Sequence, residues 1–174
     1  MAQDDAAERL AKAQEVVENG DFSAGKDRAI VWSGPGNRQA AEAFAHFDIA
    51  AKGTTQDAWC RIEDTPAGKE LQDLIPYEQQ EELGVSPEEY KDLWDTASDR
   101  YSLSQQGDVI TFVQGSREES AFRTIEQDNL VWDEKVSSIN GLDKNAVIEQ
   151  DDKQAVFDAI SESEREQREA LRAH

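Results

Sequence analysis

The stretch Ala29-Ile30-Val31-Trp32-Ser33-Gly34-Pro35-Gly36 decides the fold of this chain. Four apolar residues follow charged ones and run into a glycine-proline-glycine sequence, which predicts a short buried strand that ends in a tight turn. Residues 37–51 then carry apolar side chains at helical spacing. A strand, a turn and a helix are therefore predicted in immediate succession.

Three further helices are predicted from their start and stop signals. Residues 3–18 form an amphipathic pattern, and Asn19-Gly20 ends it in the manner typical of helix C-termini. Thr65-Pro66 predicts a helix start, because proline is favoured at the first helical position, and this helix is expected to reach about Leu74. Ser86-Pro87-Glu88-Glu89 predicts another start, with a capping serine, a proline and two acids at the positive helix end.

The later part of the chain carries the other strand signals. Val109–Val113 is the strongest of them, because its residues are β-branched or aromatic. Val136–Ile139 and Ala146–Glu149 predict two short strands around Asn140-Gly141. For residues 120–131, which are polar with spaced apolar positions, the pattern leaves the type of structure open.

The C-terminal residues 151–172 predict a last helix. Its final part, Glu162–Arg172, is nearly all charge, so we expect it to be exposed, frayed or paired with a partner. Helices come early and strands late, which indicates an α+β protein or a two-lobed α/β protein. A length of 174 residues fits a single domain, 1–174, with enough chain to bury a core.

Composition excludes several classes of function. The net charge of −20 disfavours nucleic acids and anionic membrane surfaces as partners, because both are repelled by it. There is no run of eighteen apolar residues and no charged-then-apolar leader, so we expect no transmembrane segment. A cytoplasmic protein, or one secreted without a cleavable signal, is the expectation that follows.

The acidic excess of 38 Asp and Glu over 18 Lys and Arg is dispersed along the chain. A strongly solvated surface explains it, and so does adaptation to high salt, where an acidic and lysine-poor surface stays hydrated. Attraction of a basic partner is the third explanation. The sequence leaves all three open.

Cysteine and histidine are too few for two common site types. Cys60 stands alone, which excludes an intrachain disulfide and fits either a reducing compartment or a protein that does not use disulfides. We expect it to be a small buried residue and not a nucleophile, because no histidine is near it in sequence. With His46 and the terminal His174 as the other candidates, no zinc ligand set can be assembled, so no metal site is predicted.

A few residues suit the chemistry of a sugar bound to a flat ring. Trp32 and Trp94 offer flat apolar faces, while Glu63 and Glu126 can stabilise a developing cation. Each also has an ordinary structural explanation, as a core aromatic or as an acid at a helix N-terminus. Ser33-Gly34 lets a ligand approach the backbone closely, although the glycine spacing is not that of a phosphate loop.

Their order along the chain resembles the ADP-ribosyl cyclase / NAD glycohydrolase family, in its cysteine-poor, prokaryote-like form. Five collinear segments over about residues 30–139 carry the resemblance: Trp32-Ser33-Gly34, Arg61-Ile62-Glu63-Asp64-Thr65 with Gly68 and Leu71, Leu93-Trp94-Asp95-Thr96-Ala97-Ser98, Asp108 to Arg117, and Phe122-Arg123-Thr124-Ile125-Glu126-Gln127-Asp128-Asn129-Leu130. They are similar to the family's Trp-Ser-Gly, Thr-Leu-Glu-Asp-Thr-x-x-Gly, Phe-Trp-x-x-Val-Ser, strand-Asn-Gly-Ser-Arg and Phe-Gly-Ser-Val-Glu-Val-x-Asn-Leu segments.

The chain departs from the family pattern at four points. The disulfides of the animal enzymes have no counterpart here. Arg61 replaces the usual threonine, Arg123 replaces a glycine, and Gln72 stands where some members have a second acid in the nicotinamide pocket. The helices 3–18 and 151–172 flank the matched core, 28–150, and match no part of the family.

The resemblance implies a fold and a set of roles. The fold would be α+β, with a helix-rich N-terminal part and a small C-terminal part that contains a parallel sheet. The catalytic residues implied are Glu126, Glu63 and Trp94, and the substrate-binding residues implied are Trp32, Ser33, Gly34, Asp64, Arg117 and Thr124. NAD would be a substrate and not a cofactor, and no metal is required.

The implied activity is cleavage of the bond between nicotinamide and ribose, giving nicotinamide with ADP-ribose, cyclic ADP-ribose or both. A catalytically silent nucleotide-binding module of the same fold is the alternative. Similar cysteine-poor modules also occur as bacterial toxin domains, in which case a neutralising, immunity-type protein is the expected partner. An acidic interaction protein, with motifs that arise by chance, is the third interpretation. The sequence does not separate toxin, defence or signalling roles, and it leaves the oligomeric state open.

Overall fold

Five strands form one sheet in the computed structural model, which describes residues 2–55, 57–150 and 152–173. The strands are β1 (Ala29–Trp32), β2 (Cys60–Arg61), β3 (Gly107–Phe112), β4 (Val136–Ile139) and β5 (Leu142–Asp143). Their order is β2-β1-β3-β4-β5, and all neighbours are parallel except the antiparallel pair β4 and β5. The sheet therefore takes strands from both halves of the chain.

Helices connect and cover these strands. In the described part of the chain they are α1 (Ala2–Asn19), α2 (Asn37–Lys52), α3 (Pro66–Leu74), α4 (Pro87–Leu103), α5 (Gln127–Trp132), α6 (Lys144–Ile148), α7 (Lys153–Glu162) and α8 (Arg165–Arg172). Short 3₁₀ turns span Ile62–Asp64 and Tyr77–Gln79, and a π-helical turn spans Phe122–Glu126. The α+β class predicted from the sequence is confirmed.

The two faces of the sheet build two apolar clusters, because alternate side chains of a strand point to opposite faces. Val31 belongs to the larger cluster, with α1, α3 and α4, whereas Ile30 belongs to a smaller cluster with α2. The connection from β1 to β2 thus lies on one face, and the connection from β2 to β3 lies on the other. The carboxyl ends of β1, β2 and β3 meet at one edge of the sheet.

Most of the predicted helices and strands are confirmed, and they begin or end at the residues that predicted them. The threonine and serine caps act as expected: the Gly68 amide donates to Thr65 Oγ1 at 3.1 Å, and the Glu89 amide donates to Ser86 Oγ at 3.1 Å. The strand that ends at Trp32 and the strand Val136–Ile139 are also present. Residues 120–131, left open by the pattern, form the π-helical turn and α5.

The predicted strand Ala146–Glu149 is wrong, because Ala146–Ile148 belong to α6 and Glu149 is its C-cap. The Asp143 side chain accepts a hydrogen bond of 2.8 Å from the Asn145 amide and thereby starts a helix directly after β5. The strand that returns after Asn140-Gly141 is the two-residue β5 instead.

The final helix also differs from the prediction. It is broken into α7 and α8, and the predicted first residue, Asp151, lies outside the described residues. The segment Glu162–Arg172 is docked on the domain and is not a frayed or purely exposed end. Glu164 is fully buried there: its Oε1 accepts from Thr111 Oγ1 at 2.8 Å and from the Val113 amide at 2.5 Å.

Within the described ranges, no helix combines the length and the apolar character needed to cross a membrane.

Candidate active site

A cavity of about 540 Å³ opens at the carboxyl edge of the parallel strands. Trp32 and Ser33 line it from the end of β1, and Glu63 lines it from the turn after β2. Trp94 comes from α4, and Glu126 comes from the π-helical turn after β3. Open parallel sheets bind ligands at this edge, and the volume lies in the range of small-molecule pockets.

Glu126 is one of two buried acids that line this cavity, the other being Glu63. Glu126 is the last residue of the π-helical turn, a distortion that often occurs at functional sites. Its side chain is only 5% exposed, and its carboxylate has no hydrogen-bond or ion-pair partner among the described residues. Burial, followed by the charges of Glu63 and Asp95, raises the pKa of Glu126 to about 8. A buried carboxyl group with so perturbed a pKa, at the wall of a cavity, marks a candidate functional site.

Glu63 is held by partners at both carboxylate oxygens. Trp32 Nε1 donates to Oε1 at 2.8 Å, and Arg61 Nη1 donates to Oε2 at 2.9 Å. Burial raises the pKa of Glu63, while the Arg61 charge and the Trp32 hydrogen bond oppose this increase. Because each oxygen has a second lone pair, Glu63 is fixed in place and can still accept a bond from a ligand.

Asp64 does not line this cavity. Its Oδ2 accepts from Arg61 Nε at 2.9 Å and its Oδ1 accepts from Arg61 Nη2 at 3.0 Å, a two-point pairing typical of arginine. Asp64 lines instead a second, shallower hollow of about 410 Å³ on the α2 side of this turn. Arg61, the departure from the family's threonine, therefore bridges Glu63 and Asp64.

The turn after β1 is fixed by short contacts. Asn37 Nδ2 donates to the Ser33 carbonyl at 2.6 Å and to the Gln114 carbonyl at 2.9 Å. Gly34 has φ +98°, and a Cβ there would lie 3.1 Å from Ser116 Cα, so a larger residue would be strained and crowded. Ser33 faces the cavity, whereas Gly34 is not among the residues that line it.

An aromatic row follows Trp94 along the cavity wall. The rings of Trp94 and Tyr90 have centroids 6.4 Å apart, and those of Tyr90 and Tyr77 are 5.9 Å apart in an edge-on arrangement. The indole Nε1 of Trp94 is buried, and the nearby Tyr90 hydroxyl does not reach it with hydrogen-bonding geometry. A buried donor without a partner is rare in proteins, which marks this position as unusual.

Two other predicted binding residues lie apart from the cavity lining. Arg117 is exposed in the loop after β3, where its carbonyl accepts from the Ser120 amide at 3.0 Å. Thr124 is exposed, and its hydroxyl donates to the Ser120 carbonyl at 2.8 Å. The structure thus brings together Trp32, Ser33, Glu63, Trp94 and Glu126, and does not bring Gly34, Asp64, Arg117 or Thr124 to the lining. The roles of all nine residues stay predictions.

Two positions at which the chain departs from the family pattern have clear contacts. Gln72 lines the cavity and donates through Nε2 to the Glu63 carbonyl at 2.9 Å, which ties α3 to the turn that carries Glu63. Arg123 turns toward α7, where its guanidinium carbon lies 4.1 Å from the centroid of the Phe157 ring. Arg123 therefore supports the C-terminal helices and is not among the lining residues.

Cys60 is buried, as expected, and burial raises the pKa of its thiol to about 11. A thiol with this pKa carries very little thiolate near neutral pH, so it is a poor nucleophile. His174 lies outside the described residues.

Sequence reasoning did not single out Arg38, Tyr77 and Tyr90 as site residues, although all three line the cavity. Arg38 is in the first turn of α2, two residues beyond the Gly-Pro-Gly turn, and Tyr77 directly follows Pro76. A cation just after a glycine turn at a helix N-terminus is a signal for anion binding that the sequence did offer. The tyrosines gave no signal apart from helical spacing.

No known family and no curated protein matches this chain in sequence. Solved structures with a similar fold include a mutant ADP-ribosyl cyclase, at 20% identity over 75% of this chain with a TM-score of 0.49. Another is an ADP-ribosyl cyclase complexed with N1-cIDPR, at 18% identity over 75% of this chain with a TM-score of 0.47. The third is the Aplysia cyclase complexed with the substrate NGD and the product cGDPR, at 20% identity over 66% of this chain with a TM-score of 0.43.

This chain spans about half the length of these cyclases, covering 54%, 54% and 48% of them respectively.

Proposed function

We propose that this protein cleaves the bond between nicotinamide and ribose in NAD, releasing nicotinamide with ADP-ribose, cyclic ADP-ribose or both. The observation that carries the proposal is Glu126: a buried, unpartnered carboxyl group at the wall of a cavity that the Trp32–Glu63 pair and Trp94 also line. These are the residues on which the sequence resemblance to the ADP-ribosyl cyclase / NAD glycohydrolase family depends.

The chemistry of this bond suits a single carboxylate. When the bond breaks, its electron pair stays with the ring nitrogen, and the cationic pyridinium leaves as neutral nicotinamide. The ribose carbon becomes an oxocarbenium ion, which the ionised Glu126 stabilises by charge or bonds to transiently, as carboxylates do in glycosidases. NAD is consumed as a substrate, and the step needs neither an oxidant nor a reductant.

Before substrate binds, the carboxyl group of Glu126 is largely protonated at pH 7, because burial raises its pKa to about 8. A cationic ring placed nearby favours the ionised form, so substrate binding itself lowers this pKa. Glu126 thus stays neutral until the cationic nicotinamide ring of the substrate binds. The free protein therefore avoids the cost of an unpaired buried carboxylate.

The other predicted residues orient the substrate. Glu63 accepts a hydrogen bond from the nicotinamide amide or a ribose hydroxyl, and Asp64 supports it through Arg61. Trp32 and Trp94 hold the flat rings and exclude water. Ser33, Gly34 and Arg117 contact the diphosphate, and Thr124 completes the proposed set of substrate-binding residues.

The cation then has two fates. Attack by water gives ADP-ribose and releases a proton, whereas attack by a nitrogen of the substrate's own adenine gives the cyclic product. The balance depends on how close the pocket holds the adenine to the ribose carbon.

The silent binding module is the second candidate function. The Arg61–Glu63 ion pair favours it, because it neutralises an acid that the family motif presents to the substrate. An NADase toxin domain neutralised by a partner would use the same chemistry in another biological role.

We also propose that residues 1–174 form one domain, with core 28–150, because buried Glu164 and Gln167 join the C-terminal helix to β3.

The test is to incubate the purified protein with NAD at low and high salt and to separate the products by chromatography. Free nicotinamide with ADP-ribose or its cyclic isomer supports the enzyme and reveals the branch taken. Intact NAD in every condition, with NAD bound, would select the silent module.

A further inference from the structure

The cavity has a second wall that the proposed bond cleavage does not use. Arg38, Tyr77 and Tyr90 form this outer wall, on α2, the 3₁₀ turn before α4, and α4 itself. In the proposed function, Glu126, Trp32 and Glu63 act on the nicotinamide ring and the ribose bound to it. The role of the outer wall is therefore a separate question.

Arg38 is the cation of this wall with no protein partner. Lys91, which also lines the cavity, is paired with Asp95 at 2.5 Å, and Arg61 is engaged by two carboxylates. Arg38 forms no ion pair and no side-chain hydrogen bond within the described part of the chain, despite the excess of 38 acidic over 18 basic residues. Its charge acts on Tyr90, where it opposes the rise in the pKa of that phenol caused by burial.

Tyr77 is the exposed ring of this wall. It is 65% exposed, yet it is held edge-on to the half-buried Tyr90, with ring centroids 5.9 Å apart. Tyr90 in turn packs near Trp94, so the row extends from the buried part of the cavity to its mouth. An oriented aromatic face that is open to solvent is suited to stack against a flat nucleotide base. Such stacking works with any of the bases.

We infer that the outer wall is a subsite for a nucleoside diphosphate, in which Arg38 binds the phosphates and Tyr77 stacks the base. The guanidinium offers several donors to phosphate oxygens, and the positive end of α2 adds to its charge. This inference rests on the proposed function for the order of the groups: the nicotinamide lies toward Glu126 and the adenylate lies toward the mouth. It adds Arg38 to the phosphate contacts that the proposed function gives to Ser33, Gly34 and Arg117.

The test is the affinity for ADP-ribose, measured by calorimetry on wild type, Arg38→Gln and Tyr77→Ala. ADP-ribose carries the diphosphate and adenine without nicotinamide, so its binding reports on the outer wall whether or not the protein cleaves NAD. We expect each variant to bind about tenfold more weakly, the scale of a lost charged hydrogen bond or a lost base stack. Arg172→Gln and Trp132→Ala are matched controls at exposed positions and should bind as wild type.

Ribose 5-phosphate, which lacks the base, separates the two roles. Arg38→Gln should weaken its binding, and Tyr77→Ala should leave it unchanged. Unchanged ADP-ribose affinity in Arg38→Gln would overturn the inference and leave the proposed cleavage intact. Binding of ADP-ribose that depends on Arg38, in a protein that never releases nicotinamide, would support the subsite and refute the cleavage.

Discussion

The indole Nε1 of Trp32 donates a hydrogen bond of 2.8 Å to Oε1 of Glu63, and this bond joins the end of β1 to the turn after β2. The two residues belong to separate sequence motifs thirty-one positions apart. Their contact fixes the plane of the indole and the direction of the carboxylate at once. Removing the bond should therefore disturb the site more than the fold.

Trp32→Phe keeps a flat ring but removes the donor. We expect kcat/KM for NAD to fall by about tenfold or more, because a hydrogen bond to a carboxylate contributes on the order of 1.5–3 kcal/mol. Steady-state kinetics would measure this loss, and circular dichroism would check that the fold is kept. Trp132→Phe, at a position that is 69% exposed, is the control. Equal kcat/KM in the two variants would show that the bond has no role in the reaction.

The pH dependence of kcat/KM should follow the ionisation of Glu126. The carboxylate is the active form, and burial raises its pKa to about 8, so kcat/KM should rise with pH and level off above about pH 8. The kcat profile should lie at lower pH, because the bound cation favours ionisation. A kcat/KM that is already flat from pH 5 to 7 would contradict this.

The same ionisation should lower the stability of the folded protein. The pKa of Glu126 is higher in the folded than in the unfolded state, so the folded state loses relative stability as pH rises from the unfolded value of about 4.5 through 8. Glu126→Gln removes this loss. Its melting temperature relative to wild type should therefore increase between pH 5 and pH 9, whereas that of exposed Glu134→Gln should not. A constant difference across this range would contradict the burial of an uncompensated carboxyl group.

The docking of the C-terminal helix gives a prediction on stability alone. Fully buried Glu164 is bonded to Thr111 and Val113 and paired with Arg168 at 2.7 Å. Glu164→Gln should lower the free energy of unfolding by on the order of 3 kcal/mol, because Arg168 loses its charged partner. Denaturant unfolding would measure the change, with exposed Glu162→Gln as the control. Equal stability of both variants would mean that α8 is not anchored by this pair.

Helix starts and short strands could be predicted from the sequence where neighbouring residues alone determine them. Thr65-Pro66 and Ser86-Pro87 start helices because each cap satisfies an amide of its own first turn. The strand before Ser33-Gly34 follows from a short apolar run and a turn. The predicted strand Ala146–Glu149 was wrong because an apolar run of three residues does not distinguish a strand from one turn of helix. The Asp143 cap starts a helix there.

Some residues could not be predicted from the sequence, because their positions depend on contacts between distant parts of the chain. Glu164 lies in a highly charged segment, and its burial is stable only because partners some fifty positions away satisfy its oxygens. Arg38 and Tyr77 approach the cavity from elements on separate parts of the chain. Trp32, Glu63, Trp94 and Glu126 come from separate motifs and line one cavity, because their elements meet at the carboxyl edge of the parallel strands. Their roles stay predictions.

The rate of nicotinamide release from NAD, compared between wild type and Glu126→Gln, tests the central claim most directly. Wild type should release nicotinamide with ADP-ribose or its cyclic isomer. Glu126→Gln should be slower by at least two orders of magnitude, about the loss expected for a group that stabilises transition-state charge, and should still fold. Near-wild-type release by Glu126→Gln, or no release by wild type, would contradict the account.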